Sequence, residues 1–200
     1  MEFKGKIVVV TGGAQGIGKC IAECFAREGA TVHVIDVQDG PWFVGDLADK
    51  ATLERFAGDV IAKSGKVDVL VNNALPLFKG IDECTYEEFA YAQAVGIVAP
   101  FYLAKLFKDR FAEGASIINI SSSRDRMSQP QSESYTAAKG GIAALTHALG
   151  RDFAVLLPES KVLAPKAFAG SSIKSSVKAL EEFATERISG QSMCSPAARN

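Results

Sequence analysis

The hydrophobic pattern changes period sharply near the start of the chain. Residues 6–11, Lys-Ile-Val-Val-Val-Thr, form an almost continuous β-branched run, the composition of a strand buried on both faces of a parallel sheet. Glycines 12, 13, 16 and 18 follow at once. The period then lengthens, so that Ile17, Ile21, Cys24 and Phe25 share one face of a helix punctuated by Gly29. Residues 31–36 return to a strand pattern. Strand, helix and strand within about thirty residues make the βαβ unit of a dinucleotide-binding fold.

The alternation continues. A short strand over residues 42–45 follows Asp36 after too few residues for a crossover helix, so the link through Gly40 and Pro41 is predicted to loop over the sheet end. Residues 49–64 read as a helix with Leu53, Phe56, Val60 and Ile61 apolar, and residues 67–72 as a fourth strand. Helical spacing over residues 87–111 is interrupted at Gly96 and Pro100, which predicts two helices or one strongly bent helix. Residues 115–121 form a fifth strand, and a polar loop over 122–134 leads to a long helix over 135–156.

This order predicts an α/β fold: a doubly wound, mostly parallel, Rossmann-like sheet with right-handed crossovers in a single domain. Its core spans residues 1–157. Residues 158–200 read as an atypical C-terminal segment of the same domain. Ile173, Val177, Leu180, Ala184 and Ile188 there fit one amphipathic helix, no convincing last strand follows, and residues 192–200 resemble a tail.

Composition narrows the function classes. Lys and Arg number 22 against 23 Asp and Glu, for a formal net charge of −1. That balance points away from nucleic acid and membrane surfaces as partners. No apolar run in the sequence pattern approaches a bilayer span, and the N-terminus shows no signal-peptide core. The four cysteines, Cys20, Cys24, Cys84 and Cys194, form no CxxC, and His33 and His147 are isolated. No metal site is expected, and the chain is read as cytoplasmic with reduced thiols.

Two constellations carry chemistry. The first is Thr11-Gly12-Gly13-Ala14-Gln15-Gly16-Ile17-Gly18, lying between a strand and a helix. Glycines there permit a tight turn and let backbone N–H groups approach an anion at the positive end of a helix. An ordinary glycine-rich βα turn would look similar, but the flanking strand and helix favour phosphate binding. Asp36 closes the second strand, where a carboxylate can accept both ribose hydroxyls of an adenosine and repel a 2′-phosphate. Capping a strand-end turn is the alternative, and the neighbouring glycine loop favours the ribose role. Residues 37 and 38 are Val and Gln, without the cation that a 2′-phosphate would favour, so NAD is preferred over NADP.

The second constellation is Tyr135-x-x-x-Lys139, two side chains on one helical face. An ammonium beside a phenol favours the phenolate, which makes such a tyrosine a usable acid and base near neutral pH. Such pairs also arise by chance. Position distinguishes this one, because its helix follows the fifth strand, where sheet ends form a ligand crevice. His147 on the same helix reads as structural and Arg124-Asp125-Arg126 as a solvated loop.

Taken in order, Thr11-Gly12-x-x-x-Gly16-x-Gly18, Asp46-Leu47, Asn72-Asn73-Ala74, the strand ending Asn119-Ile120-Ser121-Ser122, and Tyr135-x-x-x-Lys139 resemble the classical short-chain dehydrogenase/reductase family. The resemblance covers residues 5 to about 153. It implies a catalytic set of Ser122, Tyr135 and Lys139. It also implies NAD contacts at Gly12, Gln15, Gly16, Ile17, Gly18, Asp36, Asp46, Leu47, Asn72, Asn73, Ala74, Tyr135 and Lys139. Asp46-Leu47 would meet the adenine, and Ser122 would orient the substrate oxygen. Tyr135 would exchange its proton, and Lys139 would hold the nicotinamide ribose. The substrate implied is a small-molecule alcohol or carbonyl.

Three departures from the family pattern stand out. Gly96 occupies the place of the family's helix asparagine, Leu75 replaces a glycine after Ala74, and only Lys161-Val-Leu-Ala-Pro165 traces the family's next strand. Two readings follow: an NAD-preferring oxidoreductase, or a catalytically impaired relative that serves as a nucleotide-binding or interaction protein. The resemblance further implies a homodimer or homotetramer, paired through helices around residues 97–112 and 135–156. Phe101, Phe107, Phe111, Ala144, Leu145 and Phe153 are the candidate interface positions.

Overall fold

The computed structural model describes residues 2–75, 77–156 and 161–163, with side chains through Phe153. Strand β1 (Ile7–Thr11) is buried at every position because it lies inside the sheet, between β2 (Thr31–Asp36) and β4 (Val67–Asn72). With β3 (Phe43–Val44), β5 (Phe111–Asn119) and β6 (Lys161–Leu163), the six described strands run in the order β3-β2-β1-β4-β5-β6, and every pair is parallel. Helix α1 (Gly16–Arg27) crosses from β1 to β2, and α2 (Lys50–Ser64) from β3 (Phe43–Val44) to β4.

Alternation along the strands sorts side chains into two cores. Val9, Leu70 and Ile117 face α2, where they pack with Leu53, Phe56 and Phe107. Val8, Val10, Val69, Val71 and Ile118 face α1, where they meet Ile21 and Phe25, with Phe3 set edge-on against Phe25 at 4.9 Å. The link from β2 to β3 contains no helix, as the short spacing requires, and Trp42 Nε1 donates to the Gln38 carbonyl at 2.7 Å within it. Asp49 starts α2 as its N-cap, accepting from the backbone N–H of Ala51 and Thr52.

Several expectations need correction. Gly96 and Pro100 do not divide the third helical stretch into two separate helices. Helix α3 (Tyr86–Gln93), a π turn (Ala94–Val98) and α4 (Ala99–Leu106) are continuous over Tyr86–Leu106. At the widened turn the Ala99 N–H reaches the Ala94 carbonyl five residues back, and Pro100 follows within the first turn of α4, where its lack of an N–H is tolerated. Those 21 residues contain an 18-residue window with a mean hydropathy of 1.3, so by length and composition they do reach a membrane span, which the broken reading hid. Ala92, Val95, Ala99, Leu103 and Ala104 are buried within the fold.

Phe111 opens β5 (Phe111–Asn119) instead of closing a helix, with Gly114 at φ +70° and a register shift opposite Val67–Val69. A further strand, β6 (Lys161–Leu163), pairs with β5; three residues are too few to show a period. Helix α5 (Glu133–Leu156) begins two residues earlier than its pattern predicts. The amphipathic helix expected over residues 173–188 and the tail at 192–200 lie outside the described residues.

Candidate active site

Because all strands are parallel, β1, β4 and β5 end together: Thr11 pairs with Asn72, and Asn72 with Asn119. A cleft of about 680 Å³ opens beyond that edge, within the size range of small-molecule sites. Gly12, Gln15, Gly16, Ile17, Asp36, Asp46, Leu47, Asn73, Ala74, Ser122, Tyr135 and Lys139 all line it, so local motifs far apart in sequence meet on one surface. Gly18 and Asn72 are not on the cleft wall.

Gly18 works from behind. A Cβ there would overlap the Gly12 carbonyl oxygen, and a Cβ on Gly12, at φ +66°, would lie 2.8 Å from the Ala74 Cα. These glycines let the loop after β1 fold against the start of α1 and the end of β4. Asn73 fixes that contact, since its Nδ2 donates to the Thr11 carbonyl at 3.1 Å and the Gly12 carbonyl at 2.9 Å. Its N–H and that of Ala74 donate to Thr11 Oγ1. Gly16 and Ile17, in the first turn of α1, bring the positive helix end to the cleft. A close backbone cradle at a helix N-terminus fits the pyrophosphate of a dinucleotide.

One of the two jobs expected of Asp36 is visible directly. It caps the turn, with Oδ2 accepting from Ala14 N–H and Oδ1 from Gln38 N–H, each at 3.0 Å. A carboxylate has about four acceptor positions, so capacity remains for ribose hydroxyls on the cleft side. Asp46 Oδ1 accepts from the Ala48 N–H at 2.8 Å and from the Tyr91 hydroxyl at 3.3 Å. Tyr91, reaching in from α3, also lines the cleft and was not among the expected site residues. Its only signal is shared helical phase with Val95, four residues on, which is a cleft residue too. Burial, with the Asp46 carboxylate beside it, raises the Tyr91 phenol above its ordinary pKa.

At the other end, Ser122 stands after β5, its hydroxyl accepting from Arg124 N–H at 3.3 Å as the cap of a short 3₁₀ turn. Its hydroxyl proton is left to donate. Lys139 is buried, its Nζ donates to the Ile120 carbonyl at 2.6 Å, and burial lowers its pKa from 10.5 to about 8. Its ammonium lies 5.6 Å from the centre of the Tyr135 ring. Ser121 and Ser123 flank Ser122 on the cleft wall, and Leu75, in the family's glycine position, is 70% exposed at its rim. His147 is exposed on α5.

Behind this end lies a polar chain. Asn72 Nδ2 donates to Asn119 Oδ1, Asn119 Nδ2 to Thr146 Oγ1, and Thr146 Oγ1 to the Ile142 carbonyl. The order of donors fixes the Asn72 amide, whose buried Oδ1 has no partner among the described residues. A small cavity lined by Asn72, Gly96 and Lys139 adjoins it, with about 10 Å³ of space, near the room of one water. Gly96, in the π turn, lines this space without bringing a side-chain amide of its own.

The family sequence model for short chain dehydrogenase matches residues 6–167. The chain belongs to the short-chain dehydrogenase family. An uncharacterized oxidoreductase of Thermotoga maritima is 34% identical over 166 residues, covering 74% of this chain and 65% of its own length. Mouse L-fucose dehydrogenase is 32% identical over 166 residues, covering 76% and 61%. The chain thus spans about two thirds or less of the length of these curated relatives. A solved apo SCOR enzyme from Clostridium thermocellum superposes with a TM-score of 0.73 at 41% identity, over 82% of this chain and 72% of its own.

Three cysteines, Cys20, Cys24 and Cys84, are thiols and not half-cystines. Among the described residues, no three His, Cys, Asp or Glu side chains gather as a metal site. Of the positions expected at an oligomer interface, Phe107, Phe111 and Phe153 belong to the core, correcting that part of the reading. Their rings pack edge to face in series, at 6.3 Å and 5.4 Å. Val98 at the end of the π turn and Phe101 on α4 are exposed, as is Ala144 on α5, while Leu145 packs partly against the core.

Proposed function

We propose that this chain is an NAD-preferring oxidoreductase acting on a small alcohol or carbonyl. The observation that carries the reading is the meeting, in one cleft, of the glycine cradle with Ser122, Tyr135 and Lys139. A nicotinamide dinucleotide bound there would supply or accept the hydride. Gly12, Gly16 and the first turn of α1 hold its pyrophosphate, Asp36 its adenosine ribose, and Asp46 with Leu47 its adenine. Lys139 turns its remaining N–H donors to the nicotinamide ribose. Ser122 donates to the substrate oxygen, and Tyr135 gives that oxygen a proton during reduction or takes one during oxidation. Preference for NAD rests on Asp36, which would repel a 2′-phosphate; a related metagenomic blue fluorescent protein, 27% identical with a TM-score of 0.73, was solved in complex with NADPH.

The protein is proposed to act in the cytoplasm as a homodimer through the exposed part of α4, with a tetramer the larger alternative. The test is fluorescence titration with NADH and NADPH, followed by turnover on a panel of secondary alcohols and ketones. L-Fucose and sorbitol belong on the panel because relatives carry those names. Tighter binding of NADH with turnover is expected. NADH binding without turnover on any of them would favour the impaired relative, and equal affinity for both cofactors would remove the role given to Asp36.

A further inference from the structure

Residues 77–82, between the end of β4 and α3, are fastened to the start of α5 by contacts that converge on the residue before Tyr135. Ser134 is fully buried. Its hydroxyl accepts from Lys79 N–H at 2.8 Å and faces the carbonyls of Leu77 and Lys79, to either of which it can donate. Its own N–H donates to the Lys79 carbonyl at 3.1 Å, and its carbonyl accepts from Gln93 Nε2 of α3 at 3.1 Å. On both flanks the grip repeats. Ile81 N–H donates to Glu133 Oε2 and Asp82 N–H to Gln131 Oε1, while Lys79 pairs with Glu88 in the first turn of α3.

The packing is as tight as the bonding. A Cβ on Gly80 would overlap the Cα of Gln131, which is backbone and cannot rotate aside. Gln131 itself is held at φ +59°, a conformation that non-glycine residues seldom take. The product of this fastening is a ring contact. Phe78 lies 5.2 Å from Tyr135, centre to centre, tilted by 41°. The ring of Tyr135 therefore has the Lys139 ammonium near it from its own helix and Phe78 from this segment.

We propose that residues 77–82 brace the phenol, with Ser134 and Gly80 as positioning residues that act through Phe78 to hold the Tyr135 ring in one orientation. The role rests on the reading of Tyr135 as the group that exchanges a proton. Its test does not require turnover. In the full chain labelled with ¹³C-tyrosine there are four tyrosines to observe, Tyr86, Tyr91, Tyr102 and Tyr135. Loss of one signal in Tyr135→Phe assigns it. Phe78→Leu then gives the displacement produced by losing the neighbouring ring current.

Ser134→Ala and Gly80→Ala should each move the Tyr135 signal in that same direction while those of Tyr86 and Tyr102 stay in place. Ile81→Ala, on the same segment but with a side chain 78% exposed, should leave it unmoved. If a substrate is in hand, both brace variants should lower kcat by about tenfold, since small misplacements of a reacting group are costly. Their NADH dissociation constants should stay within about twofold. A Tyr135 signal unmoved in both variants, or all four signals moving together, overturns the brace. An inactive chain whose Tyr135 signal still moves leaves the brace standing and removes the catalytic reading alone.

Discussion

The two ends of the cleft are built by different means. In the glycine cradle proposed for the dinucleotide phosphates the working parts are backbone: N–H groups, a helix terminus, and glycines whose missing side chains let Thr11–Gly12 approach Asn73–Ala74. At the end proposed as catalytic they are side chains, set by contacts between segments more than forty residues apart, as where Leu77 and Lys79 meet Ser134. A backbone site tolerates change at most of its side chains and none at its glycines. A side-chain site behaves the other way. Single substitutions should therefore separate the two ends cleanly.

The largest effect is expected at Tyr135. Tyr135→Phe keeps the ring and its contact with Phe78 and removes only the transferable proton, so turnover should fall by about 10²–10⁴-fold. NADH affinity, measured by fluorescence titration, should change by less than about twofold. Full activity in this variant would end the assignment of the catalytic end.

Next is Lys139, whose pKa falls from 10.5 to about 8 because burial disfavours its charge. Between those two values the unfolded chain keeps a proton that the folded chain has released. This group therefore makes stability rise with pH across that window. Relative to Lys139→Met, the unmodified protein should gain up to about 3 kcal/mol between pH 8 and pH 10.5 in urea unfolding. A parallel pH dependence in the two proteins would show that the ammonium is not buried.

Gly18→Ala tests the backbone end. The new methyl must displace the Gly12 carbonyl, so NADH affinity should fall by about tenfold or more, equivalent to about 1.4 kcal/mol. Chemistry at Tyr135 should be recoverable at saturating cofactor. The smallest effect is expected for Asp36→Ala. Losing the carboxylate should narrow the ratio of NADH to NADPH affinity by a few fold, and it frees the N–H groups of Ala14 and Gln38 at a cost of about 1–3 kcal/mol. An unchanged ratio would confine Asp36 to capping the turn.

The same contrast explains what could be read from the chain. β1, α1, β2 and β4 follow from local period and punctuation, and the glycine loop lies between two of them, so that end of the site was legible residue by residue. Ser122, Tyr135 and Lys139 were legible only as motifs. Their convergence depends on strand register that no local pattern encodes. Tyr91 escaped because a tyrosine on an amphipathic helix carries no sign that its hydroxyl reaches Asp46. Ser134 escaped for a related reason, since the contacts that hold it to the rest of the fold lie with residues 77–93. The third helical stretch misled because glycine and proline read as breaks, whereas the helix continues through a π turn that holds Gly96 and leads straight to Pro100.

The position of β1 bears on how the chain is made. Its pairing with β2 joins residues 24 apart, whereas its pairing with β4 waits for residues some sixty positions later. On a ribosome the βαβ unit can therefore gather first, leaving the other edge of β1 open with an apolar strand exposed. Synthesis then lays β4 and β5 onto that edge in turn, and the phosphate cradle gains Asn73 only at this second stage. Pausing between residues 36 and 67 should expose this half-built sheet to aggregation, while a pause after residue 120 should not. The order of strands thus sets a schedule as well as a shape.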